Sequence, residues 1–162
     1  MNIMNIEHIS KIFGEKTIFD DASIGIQEGD KIGIVGINGT GKSTLLRMIA
    51  GDEVPDSGNI IRQNQLKLAW LPQEPKFPEG ATILSYAGDD ETGWKVQSNL
   101  SQLGIMDYST PIEQLSGGQK RKVALAKVLA QDFDVLLLDE PTNHLDSAMI
   151  RWLEDYLKNF RG

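Results

Sequence analysis

A glycine-rich segment from Gly36 to Ser43 carries the strongest chemical signal in the sequence. It reads Gly-Ile-Asn-Gly-Thr-Gly-Lys-Ser and matches the phosphate-binding pattern G-x-x-x-x-G-K-[ST]. Its glycines let the backbone turn tightly and bring N–H groups to phosphate oxygens. Lys42 would add a mobile positive charge, and the Ser43 hydroxyl would be a ligand for Mg²⁺. A glycine-rich structural turn is the alternative interpretation.

Two carboxylates follow an aliphatic run and suggest a second part of the same chemistry. Asp139 and Glu140 come directly after Val135-Leu136-Leu137-Leu138. A carboxylate at the carboxyl end of a buried parallel strand lies at the ligand-binding edge of the sheet. We therefore expect Asp139 to hold the water shell of Mg²⁺ and Glu140 to polarise an attacking water. Taken alone, the two residues also fit an ordinary acidic turn.

Two further signals are weaker. Leu115-Ser116-Gly117-Gly118-Gln119 precedes a helical pattern, so Ser116 can cap the helix while the glycines leave backbone N–H groups uncovered for an anion. A capped helix with no ligand is the alternative. One nucleotide does not need two such helix ends in one chain, which favours two chains facing each other. Gln73 lies on a proline-rich loop, where its amide oxygen could face Mg²⁺ or could have no role.

The elements that must position these residues follow from hydrophobic periodicity and from turn residues. Lys31–Val35 predicts a buried strand that leads into the glycine-rich loop, and Ser43–Ala50 predicts the helix after it. Strand, loop and helix form the first half of a βαβ unit and indicate a parallel sheet covered by helices. Further strands are predicted at 2–10, 22–27 (with Ile24 and Ile26 on one buried face), 60–61, 66–71 and 134–139, the last covered on both faces. Further helices are predicted at 82–87, 94–104, 117–131 and around 150–157, with Gly88–Gly93 as a polar connector.

Composition bounds the class of protein. The chain has 162 residues, which suits a single domain, and a formal net charge of −7. Because the cysteine count is 0, disulfides, a thiol nucleophile and a thiolate metal site are excluded. No apolar run approaches the ~18 residues that span a bilayer, so we expect a cytoplasmic protein without a membrane span. The negative charge means that any RNA contact does not depend on a bulk positive field, and we interpret Lys120-Arg121-Lys122 as a solvated helix face.

The four motifs, in this order, resemble the nucleotide-binding domain of the ATP-binding cassette family. The segment Glu140-Pro-Thr-Asn-His-Leu-Asp146 is similar to the F subfamily, whose members lack membrane spans and act on the ribosome or in related cytoplasmic roles. The resemblance implies an α/β fold, a P-loop NTPase of the ABC type with a mostly parallel central sheet and an antiparallel β subdomain. Residues 1–162 would form one cassette, with a shortened helical subdomain at 81–115.

The resemblance also implies ATP and Mg²⁺ as ligands and assigns roles to residues of this sequence. Glu140 would be the catalytic carboxylate, assisted by Lys42 and Gln73, and Asp146 would lie at the junction with a second cassette. The metal would be contacted by Ser43 and Gln73 and supported by Asp139. The nucleotide would be bound by Phe13, stacked on adenine, and by Gly36, Asn38, Gly39, Thr40, Gly41, Lys42, Ser43 and Thr44. The γ-phosphate on an opposing cassette would be touched by Ser116, Gly117, Gly118 and Gln119. Independently of the family, Phe13 is equally well explained as a core aromatic residue.

Three departures from the family pattern bear on function. The family has a histidine on a further strand after the last helix, whereas this sequence contains only His8 and His144. That strand lies between the phosphate-loop strand and the Asp139 strand, so we expect a gap in the centre of the sheet. The segment between Gln73 and Leu115 is short for the family's helical arm, and Gly88–Gly93 resembles the remnant of a shortened segment. F-subfamily chains usually carry two cassettes, so we expect a fragment of a longer protein.

The leading hypothesis is an ATPase cassette that works as one half of an ATP-sandwich pair, acting on the ribosome or translation. One alternative is a nucleotide-gated binding module without hydrolysis, which the missing histidine and the missing second cassette favour. Another alternative is the ATPase subunit of a transporter. The Asn143-His144 pair argues mildly against this alternative.

Overall fold

A computed structural model describes residues 1–35, 41–88 and 90–161 of the chain. Its strands are β1 (Asn2–Phe13), β2 (Lys16–Gln27), β3 (Ser57–Arg62), β4 (Leu68–Leu71) and β5 (Val135–Leu138). Its α-helices are α1 (Lys42–Ala50), α2 (Ile83–Ala87), α3 (Glu91–Gln102), α4 (Gly117–Ala130) and α5 (Ser147–Asn159). In these described ranges, no helix combines the length and apolar composition needed to cross a membrane.

The residues form two compact units. The first unit contains Met1–Leu68 and Phe133–Leu137, and the second unit contains Ala69–Asp132 and Leu138–Phe160. The first unit therefore holds the N-terminal strands and α1, and the second holds the other four helices. Residues 81–115, predicted as a helical subdomain, lie in the second unit and include α2 and α3; their status as a subdomain stays a prediction.

The first unit is built on an antiparallel sheet with strand order β2-β1-β3. Ile6 of β1 lies opposite Ile24 on one side and Ile60 on the other. Every apolar residue of β1 up to position 9 is buried, namely Ile3, Met4, Ile6 and Ile9. The predicted buried face of β2 is wrong, because on this edge strand Ile24 is 46% exposed and Ile26 is only half-buried. Alternation along a sequence predicts a strand, but it cannot show whether another layer covers that strand.

Residues 31–35 differ most from the sequence-based expectation. They form no strand, and all five are exposed, with Val35 96% exposed. The prediction of a buried strand is therefore wrong here. A strand needs a neighbour to take up its backbone N–H and C=O groups, and neither described sheet includes one beside this segment. The expected gap in the centre of the sheet stays a prediction.

Strands β4 and β5 form a two-stranded sheet. The Asp134 and Val135 N–H groups donate to the Lys67 carbonyl at 2.8 and 3.0 Å, and the Asp139 N–H donates to the Leu71 carbonyl at 3.0 Å. Positions advance together along both strands, so the pair is parallel, as predicted. Leu137 is the one buried residue of β5, and the other three are half-buried. The prediction that both faces of this strand are covered is therefore only partly met.

The core of the second unit lies between α3 and α4. Its fully buried side chains come from both helices and the segment after α3: Val96, Leu100, Leu103, Val123 and Leu125. The Asn99 side-chain amide donates to the Ala126 carbonyl at 3.0 Å and fixes one helix against the other. Lys127 of α4 reaches α2, where its Nζ donates to the Tyr86 carbonyl at 2.7 Å and lies 4.1 Å from the Tyr86 ring centroid.

The predicted polar connector Gly88–Gly93 is shorter than expected, because α3 begins at Glu91. Asp90 caps α3 by accepting a hydrogen bond from the Gly93 N–H at 3.0 Å. Gly93 is buried, and a side chain there would collide with the Gly88 carbonyl. The close approach of α3 to Gly88 therefore depends on a glycine at position 93. Asp89 lies outside the described residues.

Candidate functional site

The first unit places Gly41 and Lys42 at the start of α1. Gly41 is the N-cap, with a φ of 99°, and its carbonyl accepts the first helical bond from the Leu45 N–H at 2.9 Å. A side chain at position 41 would strike Ile18. Both observations require glycine at this position. The other predicted phosphate-binding residues Gly36, Asn38, Gly39 and Thr40 lie outside the described residues.

The first turn of α1 suits an anion. Lys42 and Ser43 are half-buried, and Thr44 is 7% exposed. The first turn holds no acidic residue that would compete for the positive end of the helix dipole. Arg47, one turn further on, donates to the Thr44 hydroxyl at 3.4 Å.

In the second unit, Gln73 and Asn143 converge on the Glu140 carboxylate. The Asn143 side-chain amide donates to Glu140 Oε2 at 2.7 Å, and the Gln73 side-chain amide donates to the same oxygen at 3.4 Å. Gln73 and Glu140, predicted to act together, are therefore in contact. Glu140 has a φ of 49°, a left-handed conformation that non-glycine residues adopt at some cost in free energy.

Asp139 follows β5 directly and is only 4% exposed. Its backbone is fixed on both sides, since its N–H donates to Leu71 and its carbonyl accepts from Arg121. Across the parts of the chain that the structure describes, no group of three or more histidine, aspartate or glutamate residues could hold a metal alone. The predicted ligands Ser43, Gln73 and Asp139 offer hydroxyl, amide and carboxylate oxygens. Each is a kind of oxygen ligand that Mg²⁺ accepts, and their joint contact with the metal stays a prediction.

Ser116 and Gln119 form a capping box at the start of α4. The Gln119 N–H donates to Ser116 Oγ at 3.2 Å, and the Ser116 N–H donates to Gln119 Oε1 at 3.0 Å. These bonds are those of a capped helix. Because Ser116 accepts through its hydroxyl oxygen, its hydroxyl proton is not used by the cap. The predicted contact with a γ-phosphate stays a prediction.

Gly118, on the first turn of α4, touches the loop that follows β5. An added Cβ at this position would lie 3.1 Å from the Cβ of His144, whereas at Gly117 it would meet nothing within 4 Å. His144 has a φ of 66°. Residues 115–119, called the signature below, include the first turn of α4. This turn and the loop carrying Glu140 therefore pack directly on each other through residues 118 and 144.

Sequence reasoning missed Arg121, as it missed the contact of Asn143 with Glu140. The Arg121 guanidinium donates to the backbone carbonyls of Pro72, Gln73, Asp139 and Glu140. The interpretation of Arg121 as part of a solvated helix face is therefore wrong. A basic residue between two lysines on a helix carries no sequence signal that would separate an inward-pointing arginine from a solvated one.

Phe13 lies at the end of β1 and is 43% exposed, so it is not a core residue. Lys11 Nζ lies 5.1 Å from its ring centroid. Lys11 also binds Glu53 at 2.9 Å, and this hydrogen bond raises the pKa of Lys11 and lowers the pKa of Glu53. Stacking of Phe13 on adenine stays a prediction.

Asp146, predicted at a junction between cassettes, is the N-cap of α5. Its Oδ1 accepts from the Met149 N–H at 2.9 Å. The carboxylate thus has a local structural role in this chain, and its place at a junction stays a prediction.

Three curated relatives are similar to almost the whole chain. The uncharacterized ABC transporter ATP-binding protein YfmR of Bacillus subtilis (strain 168) is 37% identical over 206 aligned residues, which cover 100% of this chain and 33% of YfmR. The ribosome protection protein VmlR of the same organism is 39% identical, with 99% of this chain and 27% of VmlR covered. ABC transporter F family member 2 of Arabidopsis thaliana is 32% identical, with 95% and 30% covered. The chain thus spans about a third of the length of these relatives.

A solved structure of an ATP-binding subunit of an ABC transporter shares the fold. Its TM-score is 0.80 at 22% identity, covering 96% of this chain and 73% of that one. The family profile described as ABC transporter matches residues 19–143, a range that contains the phosphate loop, Gln73, the signature and Glu140. The chain belongs to the ATP-binding cassette family, and its relatives include members of the F subfamily.

Proposed function

We propose that this chain binds ATP with Mg²⁺ and hydrolyses it as one half of a pair of cassettes. The convergence of Gln73 and Asn143 on the Glu140 carboxylate, directly after a strand of the parallel sheet, carries this proposal. A carboxylate held by two amide donors is a suitable proton acceptor for a water that attacks phosphorus.

The proposed roles follow from the chemistry of each residue. Lys42 and the N–H groups at the start of α1 hold the phosphates, and Glu140 accepts a proton from the attacking water. Gln73 and Asn143 fix the direction of the Glu140 carboxylate. Bound Mg²⁺ would neutralise phosphate charge, with Ser43, Gln73 and Asp139 as its protein partners.

The partner in this proposal is a second cassette, either another copy or another part of a longer chain. Ser116, Gly117, Gly118 and Gln119 begin a capped helix, and the Ser116 hydroxyl proton suits a phosphate oxygen presented from outside. ATP bound between two cassettes would be read from both sides, so hydrolysis would release the pair.

A calorimetric titration with Mg-ATP tests the binding step. We expect Lys42→Ala to weaken binding about 10- to 100-fold, since a hydrogen bond to a charged group contributes about 1.5–3 kcal/mol. Lys95→Ala, which removes an exposed lysine from α3, is the matched control and should bind like the wild type. Equal affinity for the wild type and Lys42→Ala would contradict the assignment.

Phosphate release tests the chemical step. Glu140→Gln keeps the shape of the side chain but removes the proton acceptor, so it should bind Mg-ATP normally and lose at least about 100-fold in turnover. Negligible release by the wild type, with and without an added partner cassette, would favour a nucleotide-gated binding module instead. The feature of the sequence that favours this binding module is the presence of only two histidines, His8 and His144.

The cellular role that we propose is action on the ribosome in the cytoplasm, as part of an F-type protein. The name of VmlR, a ribosome protection protein, supports this proposal. Co-sedimentation of the Glu140→Gln chain with ribosomes, with and without Mg-ATP, tests it. Retention that depends on ATP is the expected result. Co-purification with a membrane subunit would favour the transporter alternative.

A further inference from the structure

We propose that Arg121 is a positioning residue for the hydrolytic reaction, holding the loops that carry Gln73 and Glu140 in their working arrangement. The inference rests on the proposed function, because it concerns the residues to which that function assigns catalysis. Whether Arg121 holds the two loops can also be tested without measuring turnover.

One guanidinium group binds two separate loops. Arg121 Nη2 donates to the carbonyls of Asp139 and Glu140, both at 3.0 Å. Arg121 Nη1 donates to the carbonyl of Pro72 at 3.4 Å and, at closer range, to that of Gln73. The first pair of carbonyls follows β5 and the second pair follows β4. Arg121 itself lies on the first turns of α4, just past the signature residues.

Both loops need such a donor. They begin where the hydrogen-bonded ladder between β4 and β5 ends, and among the described residues no other strand pairs with these two. An arginine side chain presents five N–H donors in a fixed planar fork, whereas a lysine presents three donors from a single atom. Lysine therefore cannot reach four carbonyls on two loops at once.

The remaining nitrogen of the side chain points to a functional constraint. Within residues 1–35, 41–88 and 90–161, Arg121 Nε is buried and has no hydrogen-bond partner. Leaving a buried donor unsatisfied is unfavourable for stability. The position of the side chain is thus set by its two Nη groups. They bind the loop carbonyls in an arrangement that leaves Nε without a hydrogen bond.

The contact between Gln73 and Glu140 depends on both backbones. The Gln73 amide reaches Glu140 Oε2 at 3.4 Å, and Glu140 holds a left-handed φ of 49°. A residue in this conformation relaxes unless its surroundings hold it. The Glu140 carbonyl accepts hydrogen bonds from Arg121 at 3.0 Å and from the Asn143 N–H at 3.3 Å, so losing Arg121 removes the shorter of the two bonds that hold this backbone.

In the part of the chain that the structure describes, all four hydrogen bonds of Arg121 are to backbone carbonyls. It therefore acts through Gln73 and Glu140 and takes no part of its own in the reaction. The phosphate-binding residues on α1 belong to the other unit and are not among its partners. Losing Arg121 should consequently lower kcat and leave the binding of nucleotide nearly unchanged.

The test compares Arg121→Lys and Arg121→Met with Lys122→Met, which removes the neighbouring positive charge. For both Arg121 variants we expect a fall in kcat of at least 10-fold, with KM and the calorimetric Kd for Mg-ATP within about 2-fold of the wild type. Lys122→Met should match the wild type in every measurement. A melting temperature for each variant identifies loss of the fold, and Arg121→Lys carries the test if Arg121→Met does not fold.

Hydrogen–deuterium exchange provides a readout that is independent of turnover. We expect Arg121→Lys to raise exchange in peptides covering 72–76 and 139–146 and to leave peptides from β1 and β2 unchanged. If the wild type binds no ATP, the proposed function fails while the exchange experiment still decides the role of Arg121. Unchanged exchange in both loops, or an equal loss of kcat and nucleotide affinity, would overturn the proposal.

Discussion

Glu140 is held at both ends, by side-chain amides at its carboxylate and by Arg121 at its carbonyl. The sequence predicts the role of Glu140, because an aliphatic run followed by two carboxylates is a local pattern. Nothing in the sequence predicts Arg121, because its four partners are backbone atoms far away along the chain. Backbone carbonyls carry no residue-specific signal, so contacts to them become visible only in three dimensions.

At the residue scale, Gly118→Ala should destabilise the chain relative to Gly117→Ala. Alanine is favoured over glycine in a helix by about 0.5–1 kcal/mol, and at position 117 the added methyl group meets open space. At position 118 the same group lies 3.1 Å from His144 Cβ, so the gain is offset by the displacement of that loop. Urea unfolding of the two variants measures the difference.

His144→Gly provides the control for this contact. It removes the obstructing Cβ at a residue whose φ of 66° suits glycine. The double variant with Gly118→Ala should therefore recover the stability that Gly118→Ala loses. Equal stability of the two single alanine variants would show that the contact between residues 118 and 144 does not affect the free energy of unfolding.

At the scale of elements, helix starts carry local signals, whereas a strand also depends on a partner elsewhere in the chain. Thr82, Asp90, Ser116 and Asp146 each cap the helix that follows, and each bond spans only three residues. Such signals are local and are visible in the sequence. The segment 31–35 has the composition of a strand, but a strand forms only beside a partner, and no local pattern encodes that partner.

The cap of α5 gives a second prediction. Asp146→Ala removes the acceptor for the Met149 N–H and should cost about 1 kcal/mol of unfolding free energy. Asp146→Asn keeps an acceptor oxygen and should cost much less. Chemical denaturation of both variants compares them, and a full loss in Asp146→Asn would indicate that the negative charge matters more than the cap.

The ion pair between β1 and the segment after α1 gives a pH prediction. The hydrogen bond from Lys11 lowers the pKa of Glu53 below its ordinary 4.5, so its stabilising contribution is complete above that value and is lost as the pH falls further. The same bond raises the pKa of Lys11 above its ordinary 10.5. The stabilisation that comes from protonated Lys11 is therefore complete below pH 10.5 and is lost as the pH rises through the raised pKa.

Glu53→Gln should therefore unfold more easily than the wild type at pH 7. Its stability should also fall less steeply than that of the wild type as the pH drops below about 4, since one titrating group has been removed. Thermal unfolding as a function of pH measures both effects. Parallel curves for the two proteins across the acid range would contradict this account of the pair.

At the scale of the whole molecule, the four motifs predict the family, and the family profile confirms it over residues 19–143. The antiparallel sheet, the parallel pair and the helices of the second unit agree with the fold that the resemblance implies. The ribosomal role stays a proposal, because its support is the similarity of residues 140–146 to the F subfamily and the name of one relative, VmlR.

Exposed apolar side chains in the first unit lead to a prediction about the isolated protein. Ile32, Ile34 and Val35 are 50%, 39% and 96% exposed within five consecutive residues. Contiguous apolar surface binds environment-sensitive dyes. We expect the double variant Ile34→Ser and Val35→Ser to lower the fluorescence of such a dye clearly, and Val54→Ser, at a single side chain 73% exposed, to change it little. Equal signals from the two variants would contradict this.

The left-handed backbone at Glu140 has a consequence for anyone improving this protein in the laboratory. Glycine adopts that geometry without penalty, whereas an ordinary side chain gives up about 1 kcal/mol or more. A selection that rewards heat resistance alone would therefore favour variants without the carboxylate. At this position a substitution that raises thermal stability would lower turnover, so a screen should measure both.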